Sequence, residues 1–465
     1  MKTSFKALGF ASAALVSGLV SALDCSNDNA KGEFKRYERG SAIIEFCPGE
    51  TPAKNTLLDC SYNGIKQFVE VTGQVSANVA RGSVLENVTL SEGQQCINTG
   101  GPLSVSVGAP TVGRIMNLYS ESMDEIGPIA NTTTRPIHLG ELPLTELTTS
   151  IRILETGIKV IDLLTPFKAG GRVGLFANAG TGLDVLQLEL MNNIAHIHNG
   201  TSVIAEVDDR TREGNDLYQM LKETGIIDEA NLSESHVSII YAKSTETPAH
   251  KLRIGHAALS IAEYHRTMEQ RDVLIFAEGL PFHVDGEEVF TQSQRIADSV
   301  NGSVSSIQEL PSELIDTTLL ELETRVKLSF DLAARHIYPA IDPLKSSSEM
   351  LNARIVGEEH FSVAQAALDL LQRYKELRDI VMILGIDELS NEDKQAYTRG
   401  QKVENFLTQP LNVAEVYTNM PGRYVTLHDT IRGIQSIING ELDDIPAQAF
   451  FMVGTIDEAI QNYGN

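Results

Sequence analysis

The chain has 465 residues, of which 42% are hydrophobic and 21% are charged, a balance that is ordinary for a globular protein of several domains. Its 37 basic and 62 acidic residues give a formal net charge of −25, which argues against binding nucleic acid or an anionic membrane through bulk charge. Beyond the first two dozen residues, no apolar run reaches the length of a membrane span.

The N-terminal segment differs from the rest of the chain. The sequence "MKTSFKALGFASAALVSGLVSALD" has two lysines, an apolar stretch from Ala7 to Leu19 and small residues before Leu23. This order is typical of a secretory signal with its cleavage site, which we predict over residues 1–22. A mitochondrial presequence is the alternative, although such segments are usually rich in arginine and this one has none.

All four cysteines lie in the first hundred residues and would remain after cleavage: Cys25, Cys47, Cys60 and Cys96. In an oxidising compartment they could form two disulfides, with three possible connectivities. Four unpaired thiols in a reducing compartment are the alternative. The N-x-[ST] sequons are compatible with secretion, but several are expected by chance in a chain of this length.

Residues 23–112 carry short alternating apolar runs such as "SAIIEF" and "KQFVEV", broken by Gly, Asn and Pro. Alternation of this kind is typical of strands with one buried face. We therefore predict a small all-β domain.

Over residues 113–349 the pattern changes. Apolar segments such as "RVGLF", "TSVIAEV" and "DVLIF" alternate with helical stretches such as "DVLQLELMNNIAHI". This alternation predicts a mostly parallel sheet covered by helices, with ligands at the carboxyl ends of the strands.

Residues 350–465 are predicted to be helical. The stretch "EEHFSVAQAALDLLQRYKELRDIVMIL" places apolar residues three and four apart. Ser390 and Asp393 have the spacing of a helix cap at the start of a further helix.

Long ordered stretches between residues 113 and 460 connect the chain with one family. They include "VGRIMNLYSESMDEIGPI", "ETGIKVIDLLTPFKAGGRVGLF", "DRTREGNDLY", "ILGIDELSNEDK" and "QPLNVAEVYT". In these stretches the chain resembles the beta subunit of F-type ATP synthase. The resemblance implies an N-terminal β-barrel, a central RecA-like α/β P-loop NTPase domain and a C-terminal helical domain. It also implies ATP or ADP and magnesium as ligands, proton-transporting ATP synthesis as the activity, and alpha subunits and the central stalk as partners in a hexameric ring.

The phosphate-binding loop departs from the family pattern G-x-x-x-x-G-K-[ST], in which the lysine neutralises phosphate and the hydroxyl binds magnesium. The eight matching positions hold Ala177, Asn178, Ala179, Gly180, Thr181, Gly182, Leu183 and Asp184. Leu183 replaces the lysine and Asp184 replaces the hydroxyl, so a cation is lost and an anion is gained. We therefore expect a loop with little or no affinity for nucleotide.

Four further positions match catalytic residues of the family. Asp209 stands where the family has the glutamate that orients the attacking water, and its side chain is one methylene shorter. Glu278 takes the place of the Walker-B aspartate, and Arg210 and Arg266 match arginines that contact phosphate. We expect the positions to be kept and the activity to be lost. Surface ion pairs and a solvated strand end are the alternative roles.

The position for the adenine base is less changed. Tyr338 matches the aromatic residue on which adenine stacks in the family, and Tyr417 keeps a second aromatic, whereas Leu411 replaces another. Tyrosines here could also simply close the junction between two domains. The acidic stretch 387–393 matches the family's contact with the central stalk, and the stretch 308–330 is predicted to be more helical than its family counterpart.

Together these features predict a catalytically degenerate paralogue with a structural or interaction role. A functional beta subunit with compensating changes and a secreted binding protein that reuses the fold are the two alternatives. The N-terminal segment favours the secretory pathway, and the mitochondrion or plastid, at the membrane-attached ATP synthase, is the alternative location.

Overall fold

The computed structural model describes Cys25 and residues 31–208, 211–280, 294–317 and 321–464. The chain forms two compact units. The first comprises the residues up to Ser83 together with Val88–Gly101, and the second comprises Val84–Asn87 and everything from Pro102 onward.

The first unit is a β-barrel, which confirms the predicted all-β domain. Six strands close on one another in the order β1-β2-β5-β4-β3-β6. Each of the first four strands contributes apolar side chains to the buried core of this unit, among them Phe34, Ile44, Leu58 and Val69. The strands are β1 (Lys31–Glu38), β2 (Ser41–Phe46), β3 (Thr56–Asp59), β4 (Phe68–Ser76), β5 (Val79–Val84) and β6 (Gln95–Pro102).

All four cysteines are paired in this unit. Cys25 is bonded to Cys47 and Cys60 to Cys96, with Cα atoms 5.8 and 4.1 Å apart. Cys60 follows β3 and Cys96 lies in β6, its neighbour in the barrel, and both side chains are fully buried. The structure thus selects one of the three connectivities that the sequence allowed.

The second unit contains an α/β sheet followed by a helical region, as predicted. The main sheet has the order β19-β18-β12-β17-β15-β13-β14-β8, with β16 paired to β17. The remaining strands form two small pairs, β10 with β11 and β7 with β9. The strands are β7 (Ser104–Val107), β8 (Ile115–Met116), β9 (Thr133–Pro136), β10 (Ile153–Leu154), β11 (Phe167–Lys168), β12 (Arg172–Ala177), β13 (Thr201–Asp208), β14 (Val237–Lys243), β15 (Val273–Glu278), β16 (Asp298–Ser299), β17 (Gly302–Pro311), β18 (Thr324–Lys327) and β19 (Ser347–Ser348).

The helices of this unit cover the sheet and then pack on one another. Those of the α/β part are α1 (Lys159–Leu164), α2 (Leu183–His196), α3 (Thr211–Glu223), α4 (Pro248–Glu269) and α5 (Phe330–Ala334). Those of the helical region are α6 (Ala353–Val356), α7 (Glu358–Leu384), α8 (Asn391–Phe406), α9 (Glu415–Thr418), α10 (Leu427–Asn439) and α11 (Ile456–Gly464). As predicted, Ser390 caps α8 by accepting a hydrogen bond from the Asp393 N–H at 3.1 Å. In the described part of the chain, no helix has the length and apolar character needed to cross a bilayer.

The stretch 308–330, which was predicted to be more helical than its family counterpart, is mainly extended in its described residues. The described residues of this stretch form the end of β17, one 3-10 turn over Ser312–Leu314, the strand β18 and the first residue of α5. The strand is explained by period-2 burial, since Thr324 and Val326 face inward and pair with β12. The acidic and leucine-rich composition concealed this alternation.

The helical region is joined to the α/β part through a buried cation. The Lys159 side chain of α1 is fully buried, and its Nζ donates to the carbonyl oxygens of Val453 and Gly454 at 2.6 and 3.0 Å. The same Nζ lies 4.2 Å from the centre of the Phe406 ring. Burial lowers the pKa of Lys159, and these contacts offset part of that cost. One side chain therefore links α1 with two segments that follow it by hundreds of residues.

We predict that Lys159→Met lowers the free energy of unfolding by about 3 kcal/mol, because two buried carbonyl groups lose their donor. Chemical denaturation followed by circular dichroism would measure this. Lys168→Met is the matched control, since Lys168 is partly exposed and its Nζ lies 3.9 Å from Glu323; it should cost less than about 1 kcal/mol. Equal effects of the two substitutions would contradict the anchoring role of Lys159.

Candidate functional site

The candidate site is the loop over residues 178–182, which joins the carboxyl end of β12 to α2. Gly180 and Gly182 have φ values of 82° and 79°, which side chains with a Cβ rarely adopt. The Thr181 hydroxyl donates to the Asn178 carbonyl at 2.9 Å, and Gly182 directly precedes the helix. Ala177 is the last residue of the strand, where a glycine is not required. The loop thus keeps the strand–loop–helix backbone of a phosphate-binding loop.

The lysine position of the loop is now part of the hydrophobic core. Leu183 is the first residue of α2 and only 6% exposed, and it belongs to the same core cluster as Leu175 and Leu186. A leucine here contributes packing and no charge. The helix N-terminus therefore faces the loop without the cation that would neutralise a bound phosphate.

A second carboxylate, Glu309, lies near Asp184. Glu309 of β17 is in register with Leu175 of β12. Ile307, two positions before Glu309 in the same strand, belongs with Leu175 to the core cluster that also contains Leu183 and Leu186 of α2, which we call the α2-side core. Because side chains alternate along a strand, Glu309 points to the same face as α2. The Gln187 side-chain amide of α2 donates to it at 3.4 Å. Burial raises the pKa of Glu309, and the negative charge of Asp184 raises it further.

Sequence reasoning missed Glu309. It lies two positions after the segment "SVSSI", whose small and β-branched residues are compatible with a strand, so a carboxylate after such a segment was the available signal. Its position beside α2 required the pairing of β12 with β17, two strands separated by more than a hundred residues.

Glu278 also lies at this edge of the sheet. It is the last residue of β15 and is in register with the buried Glu206 of β13. Phe276 and Ile204, two positions earlier in the two strands, belong to the α2-side core, which places both carboxylates on that face. Yet within the described ranges no group of three or more His, Cys, Asp or Glu residues has an arrangement that could hold a metal ion. The described residues therefore do not form a protein-only magnesium site.

The structure does not bring Arg266 to the loop. Arg266 lies near the end of α4, just before β15 begins, and thus at the sheet edge opposite the loop. It is 2% exposed and donates to the Arg295 carbonyl at 3.3 Å, and burial lowers its pKa. The other two candidates, Asp209 and Arg210, lie outside the described residues.

Of the two candidate base-stacking tyrosines, one is at the loop. The ring of Tyr338 lies against Gly182, where a Cβ would be only 3.4 Å from its Cε1. Tyr417 of α9 is 68% exposed, and its hydroxyl donates to Glu223 at 3.2 Å. Leu411, at the third position, is buried. In the described structure the rings of Tyr338 and Tyr417 therefore do not stack on each other.

A buried carboxylate of α2 holds the segment before α9. Glu189 accepts hydrogen bonds from the Asn412 side chain at 2.8 Å and from the Val413 N–H at 3.1 Å. Burial raises the pKa of Glu189. The segment at Asn412 and Val413 is thus held against α2 by hydrogen bonds and does not depend on a ligand.

A second surface feature lies at the end of α7. The side chains of Met382, Ile383 and Leu384 are largely exposed, with Ile383 82% exposed. A short 3-10 turn over Ile386–Glu388 follows, and the acidic stretch 387–393 then leads into α8. An exposed run of large apolar residues beside acidic ones is unusual on a protein surface.

Comparison with known families identifies two segments of the chain. Residues 157–288 match the nucleotide-binding domain of the ATP synthase alpha/beta family. Residues 349–446 match the C-terminal domain of V and A type ATP synthase. With the barrel, the α/β sheet and the helical region, the chain has the architecture of ATP synthase alpha and beta subunits. The second match is to V and A types, so the comparisons do not single out the F-type beta subunit.

We predict that restoring the loop chemistry requires three changes. The double variant Leu183→Lys, Asp184→Thr leaves Glu309 in place, whereas adding Glu309→Gln also removes the carboxylate that lies near position 184. The triple variant should bind Mg-ATP at least about tenfold more tightly than the double variant, as measured by calorimetry. A control triple variant carrying the exposed Glu388→Gln in place of Glu309→Gln should match the double variant. Equal affinity of the two triple variants would show that Glu309 does not oppose nucleotide.

Proposed function

We propose that this chain is a non-catalytic relative of the F-type ATP synthase beta subunit that keeps the architecture and has lost tight binding of Mg-ATP. The observation that carries the proposal is the loop 178–182, whose backbone is intact while Leu183 is buried and Asp184 and Glu309 are adjacent acids. A folded loop whose nearby charges repel phosphate is better suited to a structural role than to catalysis on a nucleotide.

The size of the electrostatic change supports a loss of affinity. A pair of unit charges about 4 Å apart interacts with roughly 4 kcal/mol at an effective dielectric constant near 20. The chain lacks the lysine and carries Asp184 at the hydroxyl position, and Glu309 places a further carboxylate near Asp184. Each factor of ten in affinity corresponds to about 1.4 kcal/mol, so these changes together reduce phosphate affinity by several orders of magnitude.

The assignment to the F-type beta subunit rests on the sequence motifs, of which "IYPAIDPL" and "QPLNVAEVYT" are examples. The family matches support the wider group of ATP synthase subunits. Within such an assembly the partners would be alpha subunits in a ring of six and the central stalk. The exposed apolar end of α7, followed by the acidic stretch 387–393, is the surface that we propose for the stalk.

For the location of the protein we propose the secretory pathway. The support is the N-terminal segment 1–22 together with two disulfides, which persist in oxidising compartments. This location favours a second candidate function, that of a secreted binding protein that reuses the fold. A mitochondrial or plastid location would instead favour a subunit within the ring, and there a working beta subunit remains the third alternative.

We predict that the purified protein shows no Mg-ATP binding in the micromolar range by isothermal titration calorimetry. The physical reason is the missing cation at Leu183 and the acids on the same face. A tight, magnesium-dependent isotherm, or Mg-dependent ATP hydrolysis by a reconstituted complex, would contradict the proposal and support a working beta subunit.

We also predict that the mature chain begins near Leu23 and contains Cys25–Cys47 and Cys60–Cys96 in oxidised form. Mass spectrometry of the native protein, with and without reduction, would show both the N-terminus and the pairing. Loss of the second bridge through Cys60→Ser, Cys96→Ser should cost roughly 3 to 4 kcal/mol, because that bridge closes a loop of tens of residues. Four free thiols, or purification with mitochondria, would contradict the secretory location.

A further inference from the structure

A cavity lies beside the loop on its other side. It has a volume of about 340 Å³ and is lined by loop residues, by the turn after β17 and by the segment that follows β18. The lining side chains include Asn178, Thr181, Ser312, Lys327, Ser329 and Lys345. Neither Asp184 nor Glu309 is among them. The cavity is therefore distinct from the acidic side of the loop described above.

Lys327 lies across the base of the loop. It is the last residue of β18 and is in register with Phe176 of β12, while Pro311 of β17 is in register with Ala177. The Lys327 Nζ donates to the Ser312 carbonyl at 2.7 Å and also contacts the Ser312 hydroxyl. Since β12 lies between β17 and β18, this side chain must cross the carboxyl end of β12, where the loop begins.

The Lys327 side chain is on the sheet face opposite α2. Its register partner Phe176 packs with Leu310 and Leu322 in a small cluster that is separate from the α2-side core. Paired residues on parallel strands point to the same face, so Lys327 and Glu309 are on opposite faces. The ends of these strands thus place a cation on one side of the loop and carboxylates on the other.

Lys327 is half-buried, and in the described structure both hydrogen bonds of its Nζ are to Ser312. No carboxylate oxygen of a described residue forms an ion pair with its Nζ. An ammonium group has three donors, and Ser312 offers it two acceptors. A partly buried cation with a remaining donor beside a polar cavity is well suited to an anionic ligand.

The rest of the lining limits the kind of anion. Lys345 adds a second ammonium, and its Nζ lies 3.9 Å from Asp342. The Asp342 carboxylate also has a partner in its own segment, since it accepts a hydrogen bond from the Leu344 N–H at 3.1 Å. The exposed carboxylate of Glu313 also lines the cavity. The two cations and two carboxylates around the cavity leave no excess positive charge to balance a polyphosphate, whereas one oxyanion group can be held directly by Lys327.

We propose that this cavity is a binding site for a small molecule with a single oxyanion group, a phosphate or a carboxylate, held by Lys327 with Lys345 as the second cation. The exposed ring of Phe330, which lies 4.0 Å from the Cβ position of Gly180, forms an apolar wall for the remainder of the ligand. The net charge of −25 disfavours diffuse anion binding elsewhere on the protein. The site does not depend on the proposed loss of Mg-ATP binding, because it uses the other face of the sheet.

The test uses the full-length mature protein and inorganic phosphate, followed by ³¹P NMR line width, with acetate as a second probe followed by saturation transfer. Lys327→Gln should weaken binding by about tenfold or more, because a charge-assisted hydrogen bond is lost. Lys345→Gln should have a smaller effect, and Glu313→Gln should strengthen binding. Lys251→Gln, which removes a half-exposed lysine of α4 outside the cavity, is the matched control and should bind as the wild type does.

The outcomes separate this site from the inherited one. The proposal is supported if the Lys327→Gln variant no longer binds the probe and the Lys251→Gln variant still does. The probe that binds more strongly, phosphate or acetate, then shows which kind of oxyanion the site prefers. Binding that is equal in both variants, or no binding of either probe, overturns the proposal. Tight binding of Mg-ATP that Lys327→Gln leaves unchanged would contradict the proposed function. It would not bear on the cavity, for which the phosphate titration is decisive.

Discussion

The parallel pairing of β12 with β17 and β18 determines the chemistry of the site. It aligns Leu175 with Glu309 and Phe176 with Lys327, so each neighbouring strand presents one charged residue beside the loop. Because alternate residues face opposite sides of a sheet, the carboxylate faces α2 and the ammonium faces away from it. A shift of one residue in either pairing would exchange these faces. The loop therefore lies between opposite charges that come from outside its own sequence.

The loop shows that backbone shape and charge are separable. Its conformation depends on left-handed glycines, the Thr181 hydrogen bond and the ring of Tyr338 against Gly182, and none of these requires a ligand. Its affinity for phosphate depends on a cation that Leu183 does not supply. Leucine at this position packs into the core, which preserves the fold while it removes the charge. The fold of the loop therefore does not depend on a charged side chain at position 183.

The surroundings of the loop are fixed by buried polar groups. Glu189 holds the segment at Asn412 and Val413 beside α2, and Lys159 holds the end of the chain against α1. Buried charges of this kind need several partners to offset desolvation, and both have them. The α/β part and the helical region consequently share one hydrophobic core. The architecture is thus maintained by contacts that are independent of catalysis.

The sequence alone determined the elements whose periodicity is local. The strand "SAIIEF" and the helix "EEHFSVAQAALDLLQRYKELRDIVMIL" have the predicted bounds. The strand is a short, mostly buried apolar run, and buried residues in the helix recur mainly every three or four positions. The loop replacements at Leu183 and Asp184 were also visible, because the motif is contiguous. The disulfide pairing, the approach of Glu309 to Asp184 and the position of Lys327 were decided only by tertiary structure. Each depends on strands that are distant in sequence and become neighbours in a sheet, and a local pattern carries no information about that pairing. Arg266 shows the same limit, because only the direction of α4 relative to β15 places it at the edge away from the loop.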